Sequence, residues 1–98
     1  MPYLQVNLAQ SNTPQQITGA NTLFRNLNFF GYSGFSASGT PISNAGVVYV
    51  GVNSGQLPFQ IAKGTTSSIT YNVQEGRDNL QNYWFCGAAL DGLYITYQ

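Results

Sequence analysis

Residues 47–52 read Val47-Val48-Tyr49-Val50-Gly51-Val52, the clearest strand in the chain. Side chains branched at Cβ, or aromatic, fit a pleated surface and lose rotamer freedom in a helix. The run is too short for a stable helix, and Gly51 would weaken one further. Its apolar character on both parities predicts a central strand covered on both faces. Asn53-Ser54-Gly55-Gln56 follows as a turn, since short acceptor side chains and glycine suit a bend.

The same alternation recurs on either side. Upstream, Leu4, Val6 and Leu8 alternate with Tyr3, Gln5 and Asn7, which predicts a strand over 3–8. A short strand at 16–18 follows the polar stretch 10–15. Residues 22–32 read as one strand with Leu23, Leu27 and Phe29 on one face and Arg25 as the exception; a helix would instead group Leu23, Leu27 and Phe30. Residues 33–46 carry Gly34, Gly39, Pro41 and Gly46 and no strand run, so they read as one long loop. Loops of that length are more often functional than connective.

Downstream, Pro58–Ile61 suits an edge strand because proline brings no backbone donor. Lys63-Gly64-Thr65 turns the chain into a strand over 67–73, and residues 75–79 read as an exposed charged connection. A helical turn at Leu80 leads into the strand 83–86. Asp91-Gly92 reads as the tight-turn pair before a closing strand, Leu93–Tyr97. About seven to eight strands and no crossover helix predict an all-β fold: one domain over 1–98, an antiparallel β-sandwich or jelly roll.

Composition narrows function by exclusion. In 98 residues there are 3 Lys plus Arg, 3 Asp plus Glu, no His and 1 Cys, and 6% of the chain is charged. Three scattered cations make no phosphate-binding patch, so nucleic acid is not an expected partner. Without histidine the usual nucleophile triads and structural zinc sites are excluded, and one cysteine forms no internal disulfide. No apolar run is long enough for a membrane helix, and residues 1–9 do not read as a secretion signal. No cofactor, metal or catalytic residue is expected.

The few reactive groups have plain readings. Glu75 and Asp78, with Asp91 if the fold brought it near, could form a carboxylate pair for glycoside hydrolysis; as a solvated turn with a weak ion pair they need no chemistry. Cys86 follows Tyr83-Trp84-Phe85, surroundings that predict a buried, unreactive core thiol. Lys63 reads as a solvated turn residue. Aromatics, 14% of the chain, exceed what a thin core needs. Phe24, Phe29, Tyr49, Trp84 and Phe85 are expected in the core, with Phe30, Tyr32, Phe35, Tyr94 and Tyr97 at an edge or interface. Exposed rings beside Asn and Gln also suit sugar binding.

The segment Gly46-Val47-Val48-Tyr49-Val50-Gly51 resembles the "G-x-V-Y-V-G" strand of small β-sandwich virion proteins of tailed bacteriophages. Their following Pro-x-x-(I/L)-x-x-Gly segment has its counterpart in Pro58-Phe59-Gln60-Ile61-Ala62-Lys63-Gly64. The later pattern is matched by Leu80, Tyr83-Trp84-Phe85, Gly87 and residues 91–97. The resemblance covers about residues 44–98, and Lys63 and the bulky Trp84-Phe85 depart from it. It implies a non-enzymatic capsid decoration (cement) protein on the virion surface, or a small tail or head-fibre component. Its implied partners are the major capsid protein and further copies of itself, most readily as a trimer at threefold positions of a shell.

Low charge suits such a role, since amides and hydroxyls cross an interface at lower desolvation cost than ions. Phe35 and Ile42 in the long loop, with Tyr94 and Tyr97, are the candidate partner contacts. Gly51, Gly64, Asp91 and Gly92 are the candidate structural turn positions. A carbohydrate-binding, lectin-like module is the alternative.

Overall fold

The computed structural model describes residues 3–70 and 78–98. The chain is all-β and antiparallel, with more and shorter strands than the sequence suggests. β1 (Tyr3–Asn7), β12 (Gly92–Tyr97), β4 (Asn26–Phe30) and β9 (Thr66–Thr70) form one four-stranded sheet in the order β1-β12-β4-β9. A second sheet has the order β2-β11-β7-β8, from β2 (Gln15–Gln16), β11 (Trp84–Cys86), β7 (Val48–Gly51) and β8 (Phe59–Ile61). Two small pairs complete the fold: β3 (Leu23–Phe24) with β10 (Asp78–Asn79), and β5 (Tyr32–Phe35) with β6 (Pro41–Ser43). A 3₁₀ turn, Leu80–Asn82, precedes β11.

The core lies between the two large sheets. From the first come Leu27, Phe29, Leu93 and Ile95, with Leu4, Val6 and Tyr97 packed against them. The second supplies Val48, Val50, Ile61 and Phe85, and Phe24, Leu80 and Tyr83 fill the space beside them. The Tyr83 ring meets Phe24 edge-on, with centroids 5.7 Å apart, and its hydroxyl donates to Asp78 Oδ2 at 2.9 Å. Each fully buried large side chain contributes roughly 1.5–3 kcal/mol through removal from water.

Several expectations are corrected. The single strand over 22–32 is broken by a bulge at Arg25. The backbone N–H groups of Arg25 and Asn26 both donate to Gln98 O, at 2.8 and 3.1 Å, so two residues face one. The extra residue switches the parity: Phe24 is buried and Leu23 is 49% exposed, although Leu27 and Phe29 point inward as expected. The long loop is instead the β5–β6 hairpin, closed around residues 36–40. β7 is central in its sheet, but its outer face is covered only at Gly51, by residues 56–58, and Tyr49 is exposed.

Trp84 and Cys86 share that outer face and are half-buried, so neither belongs to the core. Asp78 is paired in β10 and half-buried, not part of a solvated connection. Residues 71–73 of the strand expected over 67–73, and Glu75 and Arg77, lie outside the described residues.

Gly51 and Gly64 do sit at constrained positions. A Cβ on Gly51 would run into the carbonyl of Gln56 where the 53–56 turn folds back. Gly64 has φ +71°, the left-handed region that glycine enters freely, in a turn closed by Thr65 N donating to Ala62 O. Asp91-Gly92 is not the turn itself. The bend is at Ala88–Leu90, where Leu90 has φ +74° and Asp91 N donates to Ala88 O.

Candidate functional site

The outer face of the first sheet carries the most distinctive surface. Register places Gln5, Tyr94 and Phe30 side by side, and Tyr3, Thr96 and Asn28 in the next row. All face away from the core, because alternate residues of a strand project to opposite sides. The β5–β6 hairpin then folds back over this face. Tyr94, Phe30, Tyr32 and Phe35 form a closed circuit of rings, with successive centroids 5.7, 5.7, 5.9 and 4.9 Å apart. Tyr3 joins at 5.7 Å from Tyr94 and is 64% exposed. The edge-on meeting of Phe35 with Tyr94 suits the ring quadrupoles.

Amide side chains fasten the hairpin down. Gln5 Nε2 donates to Tyr32 O at 3.2 Å, and Asn7 Nδ2 donates to Ser33 O at 2.8 Å and Leu90 O at 3.0 Å. At the hairpin base, Asn44 is buried beside β12. Its Nδ2 donates to Gly92 O at 2.7 Å and its Oδ1 accepts from Gly92 N at 2.9 Å. β4 has turned away from β12 by this point, so one side-chain amide occupies the place of a neighbouring strand. Asp91, also buried, accepts from Ala45 N at 2.8 Å and Gly46 N at 3.0 Å.

The sequence candidates separate accordingly. Phe35 and Tyr94 meet in the ring circuit. Ile42 does not join them: Phe35 pairs with Pro41, so the next residue points to the opposite side of the hairpin, where Ile42 is 47% exposed. Tyr97 lies on the inner face and packs on the core, which removes it from this surface. Gly92 begins β12 beside Asn7, and Asp91 anchors the hairpin base.

The described carboxylates serve structure: Asp78 receives the Tyr83 hydroxyl and the Asn79 backbone N–H, and Asp91 holds residues 45 and 46. Among the described residues no group of three His, Cys, Asp or Glu side chains could hold a metal ion. Sequence reasoning missed Gln5, Asn7 and Asn44; their one visible signal was the frequency of amides around an aromatic pattern. No protein-family model, curated protein or solved structure matches the chain.

Proposed function

We propose that this chain is a non-enzymatic structural protein of a virion, a capsid decoration protein that self-associates and binds the major capsid protein of a phage head. The observation that carries the reading is the uncharged face formed by Tyr3, Phe30, Tyr32, Phe35 and Tyr94. Such a surface suits a large interface in which aromatic anchors are desolvated and no ion is buried. The resemblance of about residues 44–98 to small phage virion proteins supports the same role. It places trimers at threefold positions, whereas the surface supports association without selecting a copy number.

The test is co-sedimentation with particles lacking the protein. Tyr3→Ser removes the most exposed ring of the face without touching the core and should weaken particle binding. Ile42→Ser, on the far side of the hairpin, separates a second contact from the first. Full binding by Tyr3→Ser and Phe35→Ser, with the fold intact, would reject the aromatic face as the contact.

A carbohydrate-binding role is the second reading. It is favoured by the amides of Gln5 and Asn28 and the hydroxyl of Thr96 lying among the rings. Retention on a neutral-sugar column, abolished by Tyr3→Ser, would support it over the shell reading.

A further inference from the structure

We propose that the outer edge of β1 pairs antiparallel with β1 of a second copy, about a twofold axis at Leu4. This deepens the self-association part of the function proposed above and needs no shell.

The direction of every β1 backbone group follows from the ladder. Leu8 N donates to Asp91 O at 2.8 Å, and Leu8 O accepts from Leu90 N at 3.0 Å, so Leu8 faces β12. Successive residues of a strand point their hydrogen-bonding groups to alternate sides, so Leu4 and Val6 also bond to β12. The far side of the sheet agrees: Gln98 and Asn26 exchange bonds, and Gly31 N donates to Thr65 O, as that alternation requires. Tyr3, Gln5, Asn7 and Ala9 therefore point outward, away from the sheet.

Part of this edge is already closed. The Gln15 side chain donates to Asn7 O and accepts from Ala9 N, each at 3.1 Å, standing where a neighbouring strand would be. Tyr3 and Gln5 have no such seal, and their outward N–H and C=O groups find no partner among the described residues. Elsewhere, edges are shorter or blunted: β2 has two residues, and β8 has three between Pro58 and Lys63. β9 runs directly into residues 71–77, outside the described part. Within Tyr3–Asn7, β1 has no charge, proline or bulge of the kind that keeps an edge strand single, and the preceding Pro2 lies outside the two-residue ladder at Tyr3 and Gln5.

What fits an open two-residue ladder is another extended backbone, and β1 fits itself. With the axis at Leu4, Tyr3 of each copy faces Gln5 of the other, and four N–H···O bonds form. The two Leu4 side chains meet as a non-hydrogen-bonded pair, the closer type of cross-strand contact, on the core side of the sheet. Asn7 stays with Gln15. An isologous contact of this kind closes as a dimer.

The experiment is sedimentation velocity together with amide exchange on the full chain. The protein should sediment at twice 10.6 kDa. The Gln5 amide should be protected only at concentrations where the dimer forms, whereas the Leu4 amide is protected at all concentrations. Gln5→Pro removes the outward backbone donor together with the side-chain bond to Tyr32 O, and should keep the fold and weaken the dimer at least tenfold relative to Gln5→Ala, about two hydrogen bonds' worth. Gln5→Ala loses the Tyr32 contact but keeps the N–H, so it should remain dimeric. A monomer at millimolar concentration, a trimer, an unfolded Gln5→Pro, or a Gln5→Pro dimer as tight as the parent each overturns the proposal. Particle binding is scored separately: a dimer that ignores capsids rejects the shell reading alone.

Discussion

Asn44→Ala is expected to be among the most damaging single truncations outside the apolar core. Asn44 is 3% exposed, and its amide provides both hydrogen bonds of Gly92, a residue that is itself buried. Truncation leaves one N–H and one C=O without partners, at about 1–3 kcal/mol each, so the loss is about 2–6 kcal/mol. A chain of this size has on the order of 5–15 kcal/mol to lose. At ~4–8 °C per kcal/mol the melting temperature should fall by about 10–50 °C. Asn44→Asp keeps the shape but turns the donor into an acceptor facing Gly92 O, and adds charge near the Asp91 carboxylate. It should cost at least as much as alanine. Urea unfolding followed by Trp84 fluorescence measures both, and exchange of the Gly92 amide localises the effect. An Asn44→Ala protein within about 0.5 kcal/mol of the parent would refute the idea that this amide replaces a strand.

Three further outcomes are expected. Asp91→Ala should destabilise by about 2–4 kcal/mol in the same assay, with Asp91→Asn costing less because one acceptor oxygen remains. Gly51→Val should abolish folding as judged by circular dichroism, since its side chain would meet backbone. Gly64→Val should cost less, about 1–2 kcal/mol of left-handed strain plus displacement of Ser43 Oγ, 2.9 Å from the new Cβ. Cys86, half-buried on an outer face, should label with a small alkylating reagent in the native protein; labelling only on unfolding would return it to the core.

The fold class was legible because alternation at β1, β12 and β7 is a property of single strands, and the turns at 53–56 and 63–65 carry their own glycine and asparagine chemistry. What alternation does not encode is which face is covered. Tyr49, Trp84 and Cys86 look like core residues until the outer face of the second sheet proves to leave Tyr49 exposed and Trp84 and Cys86 half-buried. The bulge at Arg25 was hidden for a related reason: it depends on Gln98, a partner 73 residues away, and one inserted residue reverses the facing of all that precedes it. The hairpin at 32–43 was concealed by its short, glycine-interrupted strands, which are held by Asn44, Asp91 and the rings beneath them rather than by their own propensity. Phe35 and Tyr94 were recognisable as surplus aromatics, but their meeting depends on that hairpin folding back.

Asn7, Gln15 and Asn44 share one feature with a wider consequence. Each presents a primary amide where the fold has use for a peptide group, and in each case reach is set by the number of methylenes. Exchanging Asn for Gln, which substitution tables treat as the mildest of changes, moves that amide by more than an ångström along a direction in which hydrogen bonds tolerate far less. In this protein the two residue types are different structural parts, and a search for distant relatives that scores them as equivalent would discard the features that hold the hairpin to the sheet.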